Sequence, residues 1–165
     1  MKPLTTNRKD LMEGKKIQNT PEEQKVLDAN KALWKQRHNM PDEDFETFIS
    51  FPGHRNLALR TAEMRKYKII AEVIKSKYCN AGLKVGQKFV FKVMPSVLLA
   101  EESDAPLCIK ALGPMGDMMF GFWDRLSGGI DPNEGMWTHV QCMDPGIDKG
   151  GLGNVQFKVY AKKET

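Results

Sequence analysis

The stretch Tyr67-Lys-Ile-Ile-Ala-Glu-Val-Ile-Lys75, then Ser-Lys-Tyr-Cys79-Asn-Ala-Gly82, then Leu-Lys-Val-Gly86-Gln-Lys-Phe89-Val-Phe91 decides the fold class. Tyr67, Ile69, Ala71 and Val73 alternate with a period of two, which predicts a half-buried strand. Cys79 follows where that strand should end, and Ala81-Gly82 is a turn signal. Phe89, Phe91 and Val93 predict a second strand over 88–93 after the Lys84-Val85-Gly86-Gln87 turn.

Downstream, the pattern becomes mixed. Ser96–Ala100 reads as a short strand, and Glu101-Glu102-Ser103-Asp104 as an acidic turn with N-cap candidates for a helix from Ala105-Pro106. That helix would carry Cys108 in its first turn and be interrupted at Gly113-Pro114. It resumes with Met115, Met118, Met119, Phe122 and Leu126 as an apolar stripe and stops at Gly128-Gly129. Met136–Cys142 predicts a strand, and Val155, Phe157 and Val159 mark a closing one. Gly150-Gly151-Leu152-Gly153 is a turn rather than a phosphate loop, because no Lys-Ser/Thr follows and a strand comes next.

Upstream, Thr20-Pro21-Glu22-Glu23 is a helix start: a capping threonine, proline at the first helical position and a glutamate completing a capping box. Asn39-Met40-Pro41 ends that helix; Asp42–Ile49 and His54–Arg65 predict two more, and residues 1–19 read as a polar arm. Trp34, Phe45 and Phe48 are packing anchors at helical spacing before they are a ligand cage. The expected architecture is therefore α+β: a small antiparallel sheet packed on a Met-rich helix, residues 66–165, preceded by an N-terminal helical extension, residues 1–65. The extension's apolar face is thin, which points to docking on the domain behind it, on a second copy or within a larger complex.

The 165 residues carry a net charge of +4, with 12 basic and 10 acidic residues up to Arg65 and 13 and 11 after it. Neither part has the clustered lysine and arginine of a nucleic-acid surface. No apolar run approaches the roughly 18 residues of a membrane span, and the N-terminus lacks the apolar stretch of a signal peptide. The expectation is a cytoplasmic protein with neither a nucleic-acid nor a membrane partner.

Three cysteines, 29 and 34 residues apart, do not make a disulfide framework. Cys79 follows a strand, Cys142 ends one, and Cys108 sits at a helix start whose free amides and dipole would favour a thiolate. If those ends meet, three sulfurs suit zinc with a fourth ligand, or an iron–sulfur cluster with one iron open. Otherwise the cysteines are buried apolar residues. Candidate fourth ligands are His54, from the extension, Asp144 and Asp104; the two aspartates are also candidate bases, each with a simpler turn or cap role. His139 and Cys142 differ by three positions and would face opposite sides of a strand. Cys108 as a nucleophile lacks a convincingly placed histidine base.

Cys79-Asn80-Ala81-Gly82 with Lys84-Val85-Gly86-Gln87, Leu107-Cys108-Ile109-Lys110-Ala111-Leu112, and Cys142-Met143-Asp144-Pro145 follow in order. Over about residues 67–161 this resembles an uncharacterised family of small three-cysteine proteins of anaerobic bacteria and archaea. That family's pattern is a Cys-Pro-Ala-Gly turn before a Lys-Val-Gly-Asp entry, a Leu-Cys-x-x-Ala-Leu helix start and a Cys-Pro-Asp-Pro turn. Asn80 and Met143 replace its prolines and Gln87 its acid, which loosens the turns and leaves the sulfurs in place. The resemblance carries no established activity; it implies that the cysteines act as a set. The expected function is a metal- or iron–sulfur-binding protein of anaerobic metabolism, with a redox or lyase-type site if it is an enzyme. The alternative is a non-enzymatic interaction module, or small subunit of an oligomer or larger complex, with buried structural cysteines.

Overall fold

A computed structural model describes residues 18–164. Among them, 18–61 with 127–129 form one compact unit, and 62–126 with 130–164 form another. The break falls inside a helix, four residues before the expected boundary at 65.

The helical unit opens as its sequence requires. Helix α1, Pro21–His38, is capped by Thr20, whose side chain accepts from the Glu23 amide while Glu23 accepts from the Thr20 amide. Asn39 closes it in the left-handed conformation. Helix α2, Asp42–Ser50, places three acidic residues in its first turn, where the helix dipole favours them. Helix α3 spans Pro52–Met64. Trp34 packs on Phe48 at 4.6 Å and edge-on to Phe45 at 6.1 Å; Phe45 is buried and the other two rings are half-buried. Arg55 is buried and bonds to Asn19 and, at 2.8 Å, to Glu23.

The second unit is an antiparallel five-stranded sheet in the order β3-β2-β1-β5-β4. Its strands are β1 (Tyr67–Lys77), β2 (Lys88–Lys92), β3 (Val97–Leu98), β4 (His139–Gln141) and β5 (Asn154–Lys163). Ile69, Ala71 and Val73 face the core, opposite Phe91 and Phe89 on β2 and Ala161, Val159 and Phe157 on β5. A bulge at Ile74 shifts the β1–β5 register and reverses the alternation beyond it. Lys75 and Lys77 therefore lie opposite Gln156 and Asn154, on the face away from the core.

The Met-rich helix α5 is Met115–Gly128, with Met115, Phe122 and Leu126 buried. Its Trp123 donates to the Val93 carbonyl at the end of β2, which holds the helix to the sheet. The α+β class and its layering are as expected; two local readings are not. The helix carrying Cys108 is a four-residue turn, α4 (Ile109–Leu112), with Cys108 as its N-cap. Pro106 disfavours helical backbone at Ala105, and the expected caps are engaged elsewhere: Ser103 and Asp104 bond to β2. The expected strand at 96–100 shrinks to Val97–Leu98, and that at 136–142 to His139–Gln141.

Candidate functional site

Each cysteine sits just beyond a regular element, where backbone bonds fix it. After β1, Tyr78 takes a left-handed conformation and Cys79 opens a turn closed by the Gly82 amide at 3.0 Å. Gly82, at φ 75°, occupies a conformation that side chains disfavour. The Cys108 carbonyl accepts from the Ala111 and Leu112 amides at 3.0 and 2.9 Å. Cys142 prolongs the β4–β5 ladder by one residue: its N–H donates to the Val155 carbonyl at 2.9 Å, and its Sγ accepts the Val155 N–H at 3.3 Å.

Two ties close these segments together. The Met143 amide donates to the Lys110 carbonyl at 2.8 Å, and Lys110 Nζ stands 3.0 Å from Asp144 Oδ2. On the other side, Gly153 lies against the backbone of Tyr78, where a Cβ would overlap the Tyr78 carbonyl. The result is a cavity of about 220 Å³ lined by Cys79, Cys108 and Cys142, with Leu83, Ala111 and Val155 as apolar walls and Lys110 and Asp144 as its charged groups. Cys142 is buried; Cys79 and Cys108 are half-buried, and all three are free thiols. Leu107, Ile109 and Met143, next to two of the cysteines in sequence, are strongly exposed.

Asp144 organises this wall. Its Oδ1 accepts from the Gly146 and Leu152 amides at 3.1 and 2.9 Å, leaving Oδ2 for Lys110. The Lys110 hydrogen bond, followed by that from Gly146, holds its carboxyl below the usual aspartate range, and Asp144 in turn raises the Lys110 ammonium.

The other predicted site residues are not in this cavity's lining. His54 belongs to the helical unit, its ring stacked on Phe48 at 4.5 Å and edge-on to Phe51. Asp104 ties down β2, accepting the Lys88 amide at 2.5 Å through its side chain. His139 is exposed on β4, beside the Thr138 hydroxyl at 3.0 Å. Among the described residues no histidine lines the cavity, which leaves a Cys108 nucleophile without an imidazole base there. Nor, among them, do three or more His, Cys, Asp or Glu side chains already stand gathered for a metal ion.

Lys110 was not legible as a site residue. No signal in the sequence singled it out, because its partner Asp144 lies 34 positions away. Compared with protein-family models, curated proteins and solved structures, the chain matches none.

Proposed function

We propose that Cys79, Cys108 and Cys142 form a thiolate site for an iron–sulfur cluster or a zinc ion. The observation that carries this reading is the shared cavity: residues 29 and 34 positions apart line one small space. Three sulfurs with no histidine among them suit a soft metal, and leave a coordination position open to the cavity. The N–H that Val155 gives to Cys142 Sγ is the type of hydrogen bond that tunes metal-bound sulfurs. The three cysteines line the walls without being gathered, so loading requires their sulfurs to draw together. When bound, the metal would supply a Lewis-acid or redox centre; Lys110, held by Asp144, would place a cation beside a small substrate. Asp144 serves this site as the support of Lys110 rather than as a ligand, since both its oxygens are engaged. The resemblance to the three-cysteine family of anaerobes supports the cysteines acting as a set, in a reducing cytoplasmic setting.

The test is metal and acid-labile sulfide content, with an absorption spectrum, on protein purified without oxygen. Stoichiometric iron and sulfide, lost in Cys108→Ser, support a cluster; zinc alone supports the mononuclear site. No metal from cells supplied with both defeats the proposal. It would favour the second reading, a docking module or subunit of an oligomer, to which the exposed Leu107, Ile109 and Met143 already lend weight.

A further inference from the structure

A second concavity, of about 290 Å³, lies where the solvent face of β1, β5 and β4 meets the loop after Asp144. Its floor follows from register. The Ile74 bulge turns Lys75 and Lys77 outward, opposite Gln156 and Asn154, and Gln156 is in turn opposite Gln141. Lys149 closes it from the loop, and Asp148 is the acidic side chain in the lining. Among the described residues, none of the three lysines has a carboxylate within ion-pair distance.

We infer that this concavity binds a small molecule bearing a phosphate monoester and at least one hydroxyl. Three lysines and one aspartate leave a local charge of +2, which matches the −1.5 to −2 of such a phosphate at neutral pH. Ammonium groups are point donors that suit phosphate oxygens from several directions. Beyond the phosphate, the Gln141 and Gln156 amides are the groups a hydroxylated molecule would satisfy. A bulge that re-aims side chains is a device found beside functional sites. Here it converts two positions that strict alternation would send to the core into the cationic half of the site. The glycine-rich loop takes part through its lysine, not as a P-loop.

This inference stands independently of the cysteine site, and the experiment separates the two. The full chain is titrated calorimetrically with inorganic phosphate and with glycerol 3-phosphate, at constant ionic strength made up with chloride. Saturable binding of one ligand per chain is expected, tighter for glycerol 3-phosphate. Lys75→Met, Lys77→Met and Lys149→Met should each weaken it about tenfold or more, as loss of a charge-assisted hydrogen bond does. Gln156→Ala should reduce the preference for glycerol 3-phosphate over phosphate. Lys162→Met, on β5 but outside the lining, should leave the titration unchanged. Circular dichroism of each variant establishes that loss of binding is not loss of fold. Absence of saturable binding to both ligands overturns the inference. So does an equal effect of Lys162→Met, which would mean diffuse charge, or binding confined to an oligonucleotide, which would mean a polyanion surface.

Discussion

The cysteine cavity and the lysine cavity are built on the same loop and the same strand end, yet they hold opposite chemistry. Asp144 lines the first, residues 145–149 line the second, and Gly153 borders both. On β5, Val155 looks into the cysteine cavity while Asn154 and Gln156 look into the other. Successive side chains of a strand point to opposite faces, so one ladder end sorts thiols and apolar walls to the core side and lysines and amides to the solvent side. The two cavities thereby share one wall, and the cysteines belong to the first alone. Asp144 is the link: facing the thiols, it holds by its Oδ1 the amides of the loop that frames the lysines.

The sharpest way to break the comparison is Cys142→Ser. It should abolish metal loading while leaving the phosphate titration unchanged; loss of both would mean that the two cavities are one site. Asp144→Ala comes next, because it releases the loop and Lys110 together. Metal affinity, measured by chelator competition, should fall by about 10–100-fold, as for removal of other groups that support ligands. Phosphate affinity should fall as well, unlike in Cys142→Ser.

Gly153→Ala tests the shared wall itself. The added methyl would overlap the Tyr78 carbonyl, so urea unfolding should show a loss of about 1–3 kcal/mol. A neutral result would mean that the two backbones part easily. The smallest effect belongs to Tyr160, which lies outside both cavities and donates to Glu72 at 3.1 Å. Burial, then Glu72, pushes the phenol above its ordinary value. Its contribution is therefore present below about pH 10 and lost as pH rises through the folded value. Tyr160→Phe should cost about 0.5–1.5 kcal/mol at neutral pH and flatten the alkaline decline in stability, read as urea midpoints from pH 8 upward.

Much of the fold was legible because its signals are local. The Thr20 capping box acts over three residues, and the alternation of Ile69, Ala71 and Val73 over five. Each is decided by neighbours in the chain. The helix expected at Ala105 failed because Ser103 and Asp104 found better partners on β2, 13 and 16 residues away. Likewise the ring of His54, a candidate ligand by residue type, is engaged by Phe48 and Phe51.

By itself, the sequence determined the α+β class, the Thr20 capping box, the core face of β1 as far as Val73 and the three cysteines at element ends. Only tertiary structure decided that those ends enclose one space, that Lys110 and Asp144 meet across 34 residues, and that the Ile74 bulge turns Lys75 and Lys77 outward. The physical reason is range. Capping and alternation are set by bonds between residues a few positions apart, whereas strand register and the meeting of loop ends depend on how well whole faces pack, and no short window of sequence contains that sum.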